Sequence, residues 1–201
     1  MMSDMSNEWD KRYNSYDYIY GTEPNRFLKK FIEKNKPGKI LLPGDGEGRN
    51  AVYAAKSGWK VTAFDSSAIA REKALKLAEK MNVMVRYNVC SVDDFKSDEK
   101  FDLISVIFLH LMPEKRKSFH KKLIEHLDDN GHILLEVFSK EQIHNKSGGP
   151  KNDQLLYSID DLKQDFNGLN FKLLEKTTTY LSEGTHHQGE AEVIRLLATK
   201  N

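Results

Sequence analysis

Apolar residues along this chain fall into short runs separated by longer stretches with helical spacing. Buried-strand patterns occupy residues 39–42, 59–64, 83–87, 101–108, 132–138, 171–180 and 192–199. Runs this short, rich in Ile, Leu, Val and Phe and bounded by Gly, Pro or Asp, predict strands rather than helices. Between them, Pro24-Asn25 opens a helix through Ile32, and Val52 and Ala55 share one face of a helix that Gly58 can end in a left-handed cap. Ser66 or Ser67 caps a longer helix carrying Ala70, Ala74, Leu77, Ala78 and Met81. Pro113 starts a helix with Phe119, Leu123 and Leu127 on one stripe. Ser158 and Asp161 form a capping-box pattern for a helix ending at Phe166.

Strands that alternate with helices imply an α/β, doubly wound, mostly parallel sheet with right-handed crossovers. No helix separates the last two of the seven strands, so the last one can run antiparallel. Ligands in such sheets sit beyond the carboxyl ends of the strands, at the switch point beside the first strand. The expected organisation is a single domain over residues 1–201. Residues 1–36 form an aromatic lid and helix, 37–138 a cofactor-binding half, and 139–201 the substrate-side loops and final strands. The polar, glycine-containing stretch 139–153 is long for a connection, which marks it as functional or disordered.

Composition narrows the function classes. The 201 residues carry 31 basic and 30 acidic side chains, a net charge of +1. That balance offers no electrostatic footprint for nucleic acid and no basic face for a membrane. No apolar run is long enough to span a bilayer, and the opening residues 1–10 are polar rather than a signal-peptide core. A single cysteine, Cys90, excludes an internal disulfide, so the expected compartment is the cytoplasm.

The candidate chemistry begins at Leu42-Pro43-Gly44-Asp45-Gly46-Glu47-Gly48-Arg49-Asn50, where an apolar strand meets alternate glycines and then a helix. Such a turn brings backbone against a ligand where a Cβ would block it. The dinucleotide fingerprint would have its third glycine at Arg49, and no Gly-Lys-Ser/Thr phosphate loop occurs. Asp65 ends the next strand, where a carboxylate can accept from both hydroxyls of a ribose. The turn therefore suits a nucleoside without a pyrophosphate. Upstream, Trp9, Tyr13, Tyr16, Tyr18 and Tyr20 crowd before Gly21. They read either as an aromatic clamp on the core or as a lid that attracts a cation or stacks on a heteroaromatic ring.

On these residues the chain resembles the class I S-adenosylmethionine-dependent methyltransferases, with their Rossmann-like fold. More narrowly, it resembles the small-molecule branch containing tellurite-resistance and thiopurine-type methyltransferases. The ordered motifs are Trp9-x-x-Arg12-Tyr13, Tyr20-Gly21-x-x-Pro24-Asn25-x-Phe27-Leu28, the glycine turn with Arg49-Asn50, and Val61-Thr62-Ala63-Phe64-Asp65-Ser66. They continue through Phe101-Asp102-Leu103-Ile104, Phe108-Leu109-His110-Leu111, Gln142, Gly148-Gly149-Pro150 and Glu183-Gly184-x-x-His187-x-Gly189. The resemblance implies S-adenosylmethionine as cofactor and a small-molecule acceptor. Gly44, Gly46 and Gly48 would let the backbone approach its methionine part, Asp45 and Asn50 would also bind the cofactor, Asp65 would hold the ribose and Ser66 would lie beside the adenosine. Ser91 and Val92, next to Cys90, would flank the adenine, and Phe108 the sulfonium. Arg12 would meet the carboxylate, with Trp9, Tyr13 and Tyr20 as cover. Two positions depart from the family pattern. Leu42-Pro43 stands where an acidic residue commonly ends the first strand, and Asp93 and Asp94 fall later than the usual adenine-binding acid.

Methyl transfer from a sulfonium is an in-line displacement that needs alignment in a dry site, with no metal and no covalent nucleophile. A general base is needed only when the acceptor loses a proton during attack. His110 and His187 are the candidates, each with a structural alternative: His110 could close a strand-to-helix turn, and His187 could fix its loop. His120, His126, His132 and His144 read as surface residues. A second function class remains, a cofactor-binding protein that has lost catalysis and acts as a sensor or partner subunit. A nicotinamide dehydrogenase is disfavoured by the glycine spacing.

Overall fold

The computed structural model describes residues 4–200, with side chains from residue 8 onward, so part of the polar opening stretch lies outside the described residues. The chain divides into two compact units, Met1–Lys96 with Glu183–Thr185, and Ser97–Ser182 with His186–Asn201.

The first unit contains α1 (Asp4–Tyr13), α2 (Arg26–Lys34), β1 (Lys39–Pro43), α3 (Arg49–Lys56), β2 (Lys60–Asp65), α4 (Ala68–Lys80) and β3 (Arg86–Val89). Its strands lie in the order β3-β2-β1, with both pairings parallel. After Lys39 every residue of β1 is buried, as expected of a strand covered on both faces. Asn25 caps α2 by accepting from the amides of Phe27 and Leu28, and Ser67, rather than Ser66, caps α4 by accepting from Ala70. Gly58 follows α3 at φ 87°, the left-handed cap the sequence called for. The N-terminal aromatic segment is partly helical, with Trp9 and Tyr13 one turn apart on α1. The third strand starts later than the apolar run 83–87 predicts. Asn82 turns the chain at φ 53°, and Val83 and Val85 pack against Val52, Leu77 and Ala78 before β3 begins. Apolar residues in that connection serve a side cluster rather than the sheet.

The second unit contains β4 (Phe101–Ile107), α5 (Pro113–His126), β5 (Leu127–Phe138), α6 (Ile159–Asp165), β6 (Asn170–Glu183) and β7 (His187–Thr199). Its strand order is β4-β5-β7-β6, with β4 and β5 parallel and β7 antiparallel to β5. The fold is thus the doubly wound, mostly parallel seven-stranded arrangement with antiparallel closure that the element pattern implies. At Asp129-Asn130-Gly131 the pairing of β4 and β5 shifts register near the start of β5, with Asn130 at φ 61°. The stretch 139–153 is ordered, through a 3₁₀ turn at Lys140–His144 and the start of another at Asp153–Leu155. Gln142 anchors it by donating to Ser147 Oγ (2.9 Å) and accepting from the Glu192 amide (2.8 Å).

One histidine assignment is overturned. His120 is buried, not on the surface, and its Nδ1 lies 2.8 Å from Asp165 Oδ2, which also accepts from Arg116 Nε at 2.6 Å. Arg116 and His120 are one helical turn apart on α5, so both reach the same carboxylate of α6. His144 is exposed, and His126 and His132 are partly buried.

Candidate active site

The glycine turn is locked from beneath by its own unit. The amides of Gly44 and Asp45 donate to Phe64 O (2.8 and 3.3 Å), and the Gly48 amide to Asp45 O (3.4 Å). The Gly46 amide donates to Asp65 Oδ2 (3.0 Å), and the Tyr87 hydroxyl donates to Gly46 O (2.6 Å). All three glycines have positive φ, at 62°, 61° and 88°. The glycine amides are therefore engaged within the unit, and what these residues bring to a ligand is the absence of a Cβ. A Cβ on Gly46 would lie 2.7 Å from the Tyr13 hydroxyl, so Tyr13 covers this turn directly.

Asp65, at the carboxyl end of β2, also accepts from the Ser67 amide at 2.9 Å. Burial pushes its carboxyl up to about 6 against the opposing effect of its backbone N–H partners. Asp45 Oδ2 accepts from the Ala51 amide at 3.3 Å at the start of α3, while its Oδ1 is shut from water without a hydrogen-bond partner. Burial pushes that carboxyl up to about 7, opposed by the Ala51 amide, Arg49 and Asn50. Asn50 Oδ1 accepts from the Asn25 amide (2.9 Å), tying the turn to the cap of α2.

Trp9, Arg12, Tyr13 and Tyr20 come together in the same unit. Trp9 stacks on Tyr13 at 5.6 Å, Tyr13 meets Tyr20 edge-on at 6.5 Å, and the Arg12 guanidinium lies 4.7 Å from the Trp9 ring and 3.3 Å from the Tyr20 hydroxyl. Ser66 is partly exposed beside Asp65. Ser91 turns its hydroxyl to Asp94 Oδ2 (2.6 Å) and caps the turn after β3, in which Val92 is buried.

Phe108, His110 and His187 meet in the second unit. Phe108 follows β4 directly at φ 51°, an unusual conformation for a bulky side chain, held by its amide donating to Glu136 O at 2.8 Å. Its ring stacks on Phe138 (4.6 Å) and meets His187 edge-on (4.8 Å), while His110 stacks on the other ring at 5.5 Å. His110 Nδ1 lies 2.7 Å from Leu155 O and so carries the proton, leaving Nε2 as a 3.5 Å acceptor for the Phe138 amide. Burial pulls its pKa down to about 4. Tyr157, whose role the sequence did not reveal, donates to Leu109 O (3.1 Å) and accepts from the Leu111 amide (3.0 Å), holding the loop around His110. Among the described residues no cluster of three or more potential ligands could hold a metal ion.

A family model described as a methyltransferase domain matches residues 40–131, spanning the glycine turn, β2 and β4. The tRNA (uracil(54)-C(5))-methyltransferase of Pyrococcus furiosus is 34% identical over 143 residues, covering 64% of this chain and 33% of that protein. The probable S-adenosyl-L-methionine-dependent methyltransferase TehB of Haemophilus influenzae is 29% identical over 101 residues, covering 49% of this chain and 35% of that protein. Residues 40–131 of the chain thus carry a methyltransferase domain of the S-adenosylmethionine-dependent kind. The solved TehB structure matches with a TM-score of 0.74 at 20% identity, over 98% of this chain and 67% of that one. The N-methyltransferase NodS of Bradyrhizobium japonicum, in complex with S-adenosyl-l-homocysteine, matches with a TM-score of 0.72 at 13% identity, over 98% and 99% of the two chains. At these identities the two structures speak to the fold alone. The chain spans about a third of the length of the two curated relatives.

The cofactor that such a domain implies is S-adenosylmethionine, and the polar groups of the turn fit it. Asp65 and Asp45 are buried acceptors held above the ordinary carboxylate range, and one Asp45 oxygen lacks a donor. Carboxylate oxygens keep further acceptor capacity beside one amide partner, and ribose hydroxyls and an ammonium group are donors that can fill it. Sequence reasoning passed over Glu47 and Lys73, whose buried ion pair links the turn to α4. It also did not pair Arg49 with Glu183, now joined at 2.8 Å. Only the charge type was readable beforehand; the pairing joins residues far apart in the chain.

The Asp45 environment makes a pH prediction. A carboxyl raised in the folded state makes that state hold its proton more tightly than the unfolded chain does. Its contribution to stability is fully present below about 4 and is lost as pH rises through about 7. Asp45→Asn removes this titration. Without ligand, the stability of Asp45→Asn relative to wild type should be greater at pH 8 than at pH 5, by about 1–3 kcal/mol. Urea titrations at both pH values measure it, and taking the difference cancels the opposite titration of His110. A pH-independent difference would refute the buried, under-partnered carboxyl.

Proposed function

We propose that this methyltransferase transfers a methyl group from S-adenosylmethionine to a small-molecule acceptor bearing a sulfur or other chalcogen, oxygen or nitrogen nucleophile. The reading rests chiefly on the buried Asp65 carboxylate, hydrogen-bonded to the glycine turn beneath the Tyr13 ring. The cofactor would supply a methyl group already activated on a sulfonium. Asp65 would accept the ribose hydroxyls, with Ser66, Ser91 and Val92 along the adenosine and Gly44, Asp45, Gly46, Gly48 and Asn50 at the methionine part. Trp9, Arg12, Tyr13 and Tyr20 would exclude water above the turn. Phe108 would flank the sulfonium, and the strained backbone behind it supports that role.

The acceptor side is assigned to the aromatic cluster of Phe108, Phe138 and His187, with His110 fixing its loop. His110 has both ring nitrogens engaged by backbone and stays neutral through the physiological range. An acceptor that arrives deprotonated needs no base there. With a thiol series, kcat/KM should rise about tenfold per pH unit up to the pKa of each thiol, so that the inflection moves with the acceptor. An inflection fixed between pH 6 and 7 for every thiol would instead assign a titrating enzyme base.

Nearly balanced charge favours a small acceptor over nucleic acid. Among the described residues no helix is long and apolar enough to cross a membrane. A single, partly exposed cysteine, Cys90, suits a reducing cytoplasm. The deciding experiment is calorimetry with S-adenosylmethionine and S-adenosylhomocysteine, followed by turnover on thiols, chalcogenides, phenols and amines, with a tRNA transcript as a further arm. Methylation of one small-molecule class supports the proposal. Binding without turnover would assign a sensor, and methylation of the transcript alone would assign an RNA acceptor.

A further inference from the structure

Residues 14–21 are irregular, so their backbone polar groups have no helix or strand ladder to satisfy them. One buried ion pair does much of that instead. Lys73, on α4, points its ammonium at Ser15 O (3.0 Å), Asp17 O (2.7 Å) and, more weakly, Tyr13 O (3.4 Å). It also contacts Glu47 Oε1, as an ion pair rather than an aligned hydrogen bond, and lies 5.1 Å from the Tyr18 ring. Glu47, between Gly46 and Gly48, accepts from the amides of Ile19 (2.8 Å) and Tyr20 (3.4 Å) through its other oxygen. Lys73 is 9% exposed and Glu47 is 4% exposed. Burying two charges is costly unless they are well partnered, and here backbone of a single covering segment meets the Lys73 ammonium and one Glu47 oxygen while the other oxygen faces Lys73.

We infer that Lys73 and Glu47 are positioning residues for the cofactor: the pair holds residues 13–20 against the glycine turn and thereby sets how tightly the aromatic cover closes and how fast the cofactor leaves. The inference rests on the proposed cofactor site and deepens it. The ends of the covering segment are held separately. Asp10 accepts from the Ser67 hydroxyl at 2.5 Å, and Ile19 O accepts from the Thr185 amide at 2.9 Å. Losing the pair should therefore loosen the middle of the segment without detaching its ends. Because Glu47 belongs to the turn itself, movement of the cover and of the turn are coupled through one contact.

The test uses the full chain with Trp59→Phe, so that Trp9 is the sole tryptophan. The double substitution Lys73→Met/Glu47→Leu removes both charges together and leaves no orphaned ion. Relative to this background, S-adenosylhomocysteine should dissociate at least tenfold faster, with Kd raised in proportion. KM for S-adenosylmethionine should rise far more than kcat falls, and Trp9 emission should shift towards that of an exposed indole. Lys73→Arg with Glu47 intact should recover part of the affinity. A folded double variant with unchanged dissociation rate and Trp9 emission would overturn the inference while leaving the cofactor site standing. A background protein that binds neither cofactor form would overturn both. Hydrogen exchange of the wild-type chain gives an independent check that needs no variant. The Ile19 and Tyr20 amides should gain protection with S-adenosylhomocysteine, and unchanged protection would count against the pair's role.

Discussion

Asp65→Ala is expected to weaken S-adenosylmethionine binding by about 2–3 kcal/mol, roughly 30- to 150-fold, the scale of a charge-assisted pair of hydrogen bonds. The position is demanding in two ways. Its carboxylate would serve the ribose, and it already satisfies the amides of Gly46 and Ser67. The alanine variant loses both functions, so part of the affinity loss would come from a glycine turn freed to move. Asp65→Asn separates them, because its side-chain oxygen can still take one amide while the charge is gone. Affinity for the asparagine variant should fall between wild type and alanine. Calorimetry on variants with a wild-type circular dichroism spectrum provides the measurement. Undiminished binding by Asp65→Ala would remove the ribose assignment altogether.

Gly48→Ala should destabilise the fold itself, by about 2–5 kcal/mol. The residue sits at φ 88°, where an alanine is strained. Its added Cβ would fall 2.5 Å from Ala74 Cβ and 2.8 Å from Ala74 Cα, which is backbone and cannot swing aside. Overpacking and left-handed strain therefore add. The substitution drives α3 away from α4 and disturbs the packing that seats Lys73 and Glu47. A urea titration should show a lower midpoint with an unchanged slope. A loss below about 1 kcal/mol would mean that α4 does not pack on the turn as closely as described. Gly46→Ala offers a contrast, since its Cβ would meet the end of the Tyr13 side chain rather than backbone. Its cost should fall more on the aromatic cover, and so on binding, than on global stability.

What was legible beforehand follows from how local each signal is. The strand at 39–42, the caps at Asn25, Ser158 and Gly58, and the capping role of Ser67 depend on residues within a few positions of one another. The same holds for the spacing of Gly44, Gly46 and Gly48. The misplaced third strand shows the limit. Val83 and Val85 carry strand-like apolarity, but their partners Val52 and Leu77 lie on helices, and apolar spacing does not say which surface a residue will meet. His120 failed for a related reason. Its neighbours on α5 are charged, and only the arrival of Asp165 makes a buried histidine and arginine affordable there.

The candidate site divides in the same way. Asp65 and the glycine turn announce themselves because a strand end followed by a backbone-exposing turn is written in consecutive residues. The aromatic cover was visible as composition, yet whether it lay over the turn was decided by a single approach, the Tyr13 hydroxyl over Gly46. His110 could be named as a candidate but not understood, since its proton position and low pKa come from Leu155 O, the Phe138 amide and burial.

By itself, then, the sequence determined the alternation of strands and helices, the glycine turn that follows β1, and the methyltransferase domain over residues 40–131. Each of these is a pattern of residue types along the chain. Tertiary structure alone decided that Lys73 and Glu47 hold the covering segment, that Asp45 keeps an unpartnered oxygen, and that Phe108 adopts its strained conformation. Those outcomes depend on which distant groups share a buried space, where low polarity makes each missing or added hydrogen bond count, and that information is not carried by any local stretch of residues.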